Sequence, residues 1–225
     1  MQMYRTAGVH SGYEAMLKIS QLPSLAGNYF CYTSNIDGML QRAGFDSSRV
    51  REIHGNIHRL QCTSASCRDQ QGTSDAWVPA TPVELAYDRA TMMADTTRTP
   101  LPRCRNCQTR LARPNVWFCH DTDYVYHKSA DAISRAYQAL CDDMEERNRR
   151  VLNPDARCKT VVVEVGCGLI IPSGRVEAED LVERLGGTLI RINPVDYMVP
   201  EHPAHASIGL PVGAAEALTE IYNRL

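Results

Sequence analysis

Four cysteines fall in two close pairs, Cys62 with Cys67 and Cys104 with Cys107, about 36 residues apart. Thiolates so spaced can clamp one ion from two sides, the ligand pattern of a structural zinc site with four sulfurs. The rival chemistry is a thioredoxin-type redox pair at Cys104 and Cys107. Redox pairs usually stand alone at a helix start, whereas here two pairs flank one insert, so a closed, structural zinc is expected. His54 stands just ahead of the first pair, in Ile53-His54-Gly55. A neutral imidazole with a pKa of about 6.5 can take a proton from a sugar hydroxyl at physiological pH. Asn35 and Asp37 can hold a polar ligand from a strand-end loop. Taken singly, Asn35 and Asp37 are turn formers and His54 is a surface histidine.

Gly166-Cys167-Gly168 resembles half of a nucleotide-binding turn, where small residues let a phosphate or ribose approach the backbone. No full GxGxxG, P-loop or G-x-S-x-G accompanies it. His58, His120 and His127 have no second histidine four residues on and read as surface or core histidines.

The elements that must position these groups follow an α/β rhythm. Tyr13, Met16 and Leu17 share one face of a short helix that Pro23 ends, and Ala26-Gly27-Asn28 makes a turn. Tyr29–Thr33 reads as a buried strand running into the polar loop Ser34–Gly38, and open α/β sheets place ligands beyond such strand ends. From 58 to 118 helical periodicity fades and Thr, Ser, Pro and Gln increase. A segment of that kind cannot build much core unaided, so a metal is its expected organiser. Thr91–Pro100 reads as an exposed loop. Ile133, Ala136, Tyr137, Leu140 and Met144 then recur at helical spacing until Asn153-Pro154 breaks the helix. Strand Val161–Val165, a helix around Asp180–Leu185 closed by Gly186-Gly187, strand Thr188–Ile192 and a last helix from about Val212 complete the chain. This alternation argues a mostly parallel sheet.

The 225 residues are 44% hydrophobic and 22% charged, ordinary for a globular protein. A formal net charge of −2 gives no electrostatic case for binding nucleic acid or an anionic membrane. Arg147, Arg149 and Arg150 are matched by Asp142, Asp143, Glu145 and Glu146, which suits a solvated helix face. Nine cysteines, five of them isolated, with no export signal and no apolar run near about 18 residues, lead us to expect an intracellular protein, cytoplasmic or nuclear.

In this order the pieces resemble the sirtuin family of NAD-dependent protein deacylases. Thr33-Ser34-Asn35-Ile36-Asp37-Gly38 is similar to the family's Thr-Gln-Asn-Ile-Asp loop, and Glu52-Ile53-His54-Gly55 to its Glu-Leu-His-Gly element. The cysteine pairs fall where the family has its zinc ribbon. Arg113-Pro114-Asn115-Val116 is similar to Arg-Pro-x-Val, Gly166-Cys167-Gly168-Leu169 with Pro172 to the Gly-Thr-Ser turn, and Arg191-Ile192-Asn193 to a later Ile-Asn. The resemblance implies a Rossmann-like parallel-sheet domain, 1–57 with 119–225, interrupted by a small zinc-ribbon domain, 58–118. NAD and an acyl-lysine peptide would meet in the cleft between them. It implies that nicotinamide leaves, that the acyl oxygen attacks the ribose C1′, and that His54 then acts as general base on a ribose hydroxyl. Free lysine and O-acyl-ADP-ribose result. It further implies Ser34, Asn35 and Asp37 around nicotinamide and its ribose, and Gly166, Gly168 and Asn193 near adenosine. The four cysteines would hold one zinc, and the peptide would add as a strand near Val116.

Several positions depart from the family pattern. Its opening strand, Gly-Ala-Gly-Ile-Ser turn and Asp-Phe-Arg loop have no counterpart before Tyr13, so an N-terminally truncated sheet is expected, either poorly soluble alone or completed by a strand from a partner. Ser34 replaces Gln, Cys119-His120-Asp121 replaces Phe-Gly-Glu, and Cys167-Gly168 replaces Thr-Ser. Two further functions fit the same residues: an NAD glycohydrolase with water as acceptor, and a non-catalytic zinc-containing module that binds protein.

Overall fold

A computed structural model describes residues 7–25, 28–68, 71–151, 159–201 and 206–225. The expected turn at Ala26-Gly27 and the helix break at Asn153-Pro154 lie outside the described residues. The chain forms two compact units. Among the described residues, those within 9–34, 39–51 and 133–225 form one, the sheet unit, and those within 7–8, 35–38 and 52–132 form the other, the cysteine unit.

The sheet unit is built on three parallel strands in the order β5 (Val161–Val165), β6 (Thr188–Ile192), β7 (Ala206–Leu210). Its remaining elements are α1 (Ser11–Ser20), β1 (Cys31–Thr33), α2 (Met39–Ala43), β2 (Val50–Glu52), most of α3 (Lys128–Arg150), α4 (Ser173–Leu185) and α5 (Ala214–Arg224). The α/β class and parallel sheet expected from the sequence are therefore found. Alternate residues of a strand point to opposite faces, so Val165, Ile192 and Leu210 share one face. There they meet Ala15 of α1 and Ala217 and Leu218 of α5. On the opposite face Leu189 packs with Val162 and with Ala178 and Val182 of α4. A second small core joins Leu40, Phe45 and Val50 to Tyr13, Leu17 and Tyr29. β7 was not foreseen, because its five residues include a glycine and lack a continuous β-branched run. The helix expected near 180 begins earlier, at Ser173, and ends at Gly186 in the left-handed conformation.

A charged pair lies inside this unit. Arg191 and Glu164 stand side by side in the β5–β6 register, and their side chains are each only 1% exposed. The guanidinium donates to both Glu164 oxygens at 2.7 and 2.8 Å, to Glu179 at 2.6 Å and to the Met198 carbonyl. Burying two charges is tolerable only with that degree of pairing.

In the cysteine unit β3 (Gly55–Cys62) pairs antiparallel with β4 (Ala112–Val116). The expected loop at 91–100 is an exposed turn closed by Asp88 N–H to Met93 O at 2.9 Å. The start of α3 is capped by His127, whose Nδ1 accepts from the Ser129 amide at 3.2 Å. Burial, with Arg59 nearby, lowers the His127 pKa. No helix among the described residues is long and apolar enough to cross a membrane.

Two tests follow. Arg191→Met strands Glu164 without its cation and should cost about 3–5 kcal/mol in urea unfolding, with Glu164→Gln recovering part of the loss. His127 is held neutral in the folded chain, so its contribution is full above the unfolded histidine pKa of about 6.5 and declines as acid protonates the unfolded state first. Urea midpoints at pH 7.5 and 5.5 should fall further for the native chain than for His127→Asn, a cap that does not titrate.

Candidate zinc centre and histidine turn

β3 ends at Cys62, and the chain returns through Cys67, Cys104 and Cys107 before β4. Cys104 is fully buried and Cys62 nearly so, against Leu60, Trp77 and Ala112. All four sulfurs lie within 4.8 Å of one another, and Cys67 and Cys104 are 3.8 Å apart. Four thiolates about 2.3 Å from a tetrahedral zinc stand about 3.8 Å apart, so the cluster is close to the spacing the ion requires. None of the four is in a disulfide.

The backbone prepares the pocket. Gln108 N–H bonds the Cys104 carbonyl at 3.0 Å, and Asn106 N–H points at the Cys104 sulfur at 3.4 Å. The Thr109 hydroxyl and Arg110 amide lower the Cys107 thiol to about 6, while burial pushes Cys67 up to about 12. Thiolates crowded this closely repel each other, and a dication removes that conflict. With four sulfur donors and no open position, the site is structural.

The other end of β3 begins at the His54 turn. The His54 ring lies 5.6 Å from that of Trp117, and its carbonyl accepts from Trp117 N–H at 3.0 Å. Gly55 has φ +80, and a Cβ there would stand 2.2 Å from the Asn115 carbonyl and 2.9 Å from the Tyr124 hydroxyl. Only glycine lets the strand leave the histidine so close to β4. Buried amides stiffen the pair: Asn115 Nδ2 donates to Gln61 Oε1 and to Val125 O, each at 2.8 Å.

The Asn35–Gly38 loop joins the same unit. Gly38 has φ +68 and faces Asn56 and His58. Ile57 N–H donates to Ile36 O at 3.0 Å, and His58 Nε2 bonds the Asp37 carbonyl at 2.9 Å. Asn35 and Asp37 are thereby gathered on the strand that follows His54. Ser34, one residue earlier, is exposed and belongs to the sheet unit. Val116 pairs with Gly55 and is 5% exposed, whereas Trp117 and Phe118 beyond it are 44% and 62% exposed. His120 has φ +62, the backbone that a glycine would take without strain.

Gly166 and Gly168 lie beyond β5 in the sheet unit. Gly166 has φ +68, and a Cβ on either glycine would meet nothing within 4 Å, so the turn presents open backbone. Asn193, beyond β6, is buried. Its Nδ2 donates to Cys167 O at 3.1 Å, and its Oδ1 accepts from the Val195 and Asp196 amides. It buttresses the turn. Arg175 adds to that support, donating to Cys167 O at 3.1 Å and Asp196 O at 2.6 Å. Trp117, Arg175 and the bond from His58 were missed in the sequence, where no local spacing marks them.

Replacing Cys104 with serine should bring zinc from one equivalent to near zero by metal analysis and unfold the cysteine unit. Unchanged metal content and melting would overturn the four-sulfur assignment.

The Sir2 family's sequence pattern matches residues 13–141. The chain is 24% identical over 226 aligned positions to an NAD-dependent protein deacylase of Aquifex aeolicus, covering all of this chain and 72% of the relative. It is 35% identical over 88 residues to an NAD-dependent protein deacylase of Pyrococcus furiosus, covering 38% of this chain and 27% of that one. Among solved structures it is similar to a Sir2 homologue–ADP-ribose complex, with a TM-score of 0.60 and 20% identity over 100% of this chain and 69% of the other. A Sir2–p53 peptide–NAD+ complex superposes with a TM-score of 0.57 at 18% identity, covering 99% and 72%. With the histidine turn, the four-cysteine centre and the parallel sheet in place, the match across residues 13–141 assigns this chain to the Sir2 family.

Proposed function

We propose that this chain is an NAD-dependent protein lysine deacylase that takes an acyl-lysine peptide and yields nicotinamide and O-acyl-ADP-ribose. The observation that carries the reading is the gathering of Asn35 and Asp37 onto the strand that starts at the His54 turn. NAD, when bound, supplies a ribose carbon from which nicotinamide can depart. His54 is the proton acceptor for a sugar hydroxyl, and its ring is kept beside Trp117 by the backbone bond at position 117. Asn35, Asp37 and Ser34 orient the nicotinamide side.

Gly166 and Gly168 leave backbone open to the adenosine side, and Asn193 keeps that turn in shape. The exposed Trp117 and Phe118, next to Val116, are the surface offered to the peptide. In this reading 58–118 is the zinc-ribbon domain set into a Rossmann-like domain of 1–57 and 119–225. The edge of β5 away from β6 is unpaired among the described strands. Val161 and Val163 on it are 56% and 38% exposed, which suits the addition of a further strand.

The test is turnover of NAD with an acetyl-lysine peptide, followed by mass spectrometry of the products. The native chain should release nicotinamide only with peptide and form O-acetyl-ADP-ribose. His54→Ala should lower the rate about 10²–10⁴-fold while NAD still binds. Nicotinamide release without peptide would establish an NAD glycohydrolase instead, and zinc at one equivalent with no NAD affinity a binding module.

A further inference from the structure

The pairing of β3 with β4 is interrupted where function is densest. Asn56 faces Asn115, but the next pair is Leu60 with Pro114, so Ile57, His58 and Arg59 bulge out with no residue opposite. Leu60 gives its N–H and its carbonyl to Trp77, at 2.7 and 2.8 Å, so it stands opposite Pro114 without a hydrogen bond to it. The bulge turns its groups to the Asn35–Gly38 loop instead. Ile57 N–H reaches Ile36 O at 3.0 Å, and the His58 ring reaches the Asp37 carbonyl at 2.9 Å. A carbonyl can only accept, so His58 Nε2 carries the proton in this bond.

The backbone that carries the ring is held as well. Asn56, only 6% exposed, accepts from the His58 amide at 2.8 Å and donates to Glu52 at 2.6 Å. Glu52 is also 3.5 Å from Arg59. Glu52, Asn56, His58 and Arg59 thus span both sides of the His54 turn and end on the loop. Gly38 completes the fit, since a Cβ there would lie 3.3 Å from the His58 ring.

We propose that His58 is a positioning residue whose Nε2–H fixes the Asp37 carbonyl, so that the loop carrying Asn35 and Asp37 is set for NAD on the bulge of the strand leaving His54. This rests on the reading of the chain as NAD-dependent, and it adds a residue that touches neither cofactor nor substrate. The bond acts by holding one loop conformation. Its loss lets the loop sample others, and NAD affinity falls by the fraction of time the competent one is lost.

The experiment uses the full chain and three variants. His58→Ala removes the ring, His58→Met keeps bulk without a donor, and His58→Gln restores an N–H at similar reach. Hydrogen exchange of the peptide spanning 34–40 reports the clasp directly, and calorimetry with NAD reports its consequence. Exchange in the loop should quicken about tenfold in the Ala and Met variants and NAD should bind about tenfold more weakly, what one hydrogen bond is worth. His58→Gln should restore both to within about twofold, and all should keep one equivalent of zinc.

Unchanged loop exchange in His58→Met overturns the proposal, and so does a faster loop with undiminished NAD affinity. Failure of His58→Gln to restore either quantity overturns it too, showing that ring volume mattered and the donor did not. If His58→Ala loses zinc and unfolds, the Met and Gln pair decides at nearly constant volume. If the native chain itself fails to bind NAD, the deacylase reading falls, while loop exchange still judges the clasp.

Discussion

The cysteine unit depends on the close approach of β3 to β4 at Gly55. A Cβ at that position would sit 2.2 Å from the Asn115 carbonyl, so the strands can meet there only through a glycine. His54, Cys62 and the groups that hold the Asn35–Asp37 loop are all placed by that strand. His54 precedes its first residue and Cys62 is its last, on the order of 20 Å away along an extended chain. A four-sulfur site at one end and an imidazole at the other are thereby held by one backbone.

That arrangement explains why a non-catalytic metal belongs to a reactive protein. A segment poor in apolar residues cannot hold a strand by burial alone, and Leu60, Trp77 and Ala112 make only a small core around the sulfurs. Four metal–sulfur bonds would make up the difference. The amides of Gln61 and Asn115, both wholly buried, then carry the order from the metal end towards the histidine end. The sheet unit solves the same problem with ordinary apolar layers, and a buried ion pair, Glu164 with Arg191, joins adjacent strands at one register position.

Much of this was legible from local patterns. The cysteine spacing named a tetrahedral site because thiolate ligation needs little beyond four sulfurs within reach. Val161–Val165 named a strand because its β-branched run suits a covered parallel sheet. Other features were illegible. β7 lacks such a run, and α4 starts without a capping side chain, so nothing local marks where it begins. His58 looked like any surface histidine, because its partner is a backbone carbonyl 21 residues away.

The sequence by itself determined the family, the α/β class, the ligand set for a metal and the histidine with its adjoining glycine. Each of those is encoded in neighbouring residue types and their spacing. Only the tertiary structure decided that three residues bulge between Asn56 and Leu60, that the Asn35–Asp37 loop is clasped by that bulge, and that Asn193 buttresses its turn. These depend on strand register and on which distant groups meet, and a register is set by the summed packing of a whole unit, which no local run of residues contains.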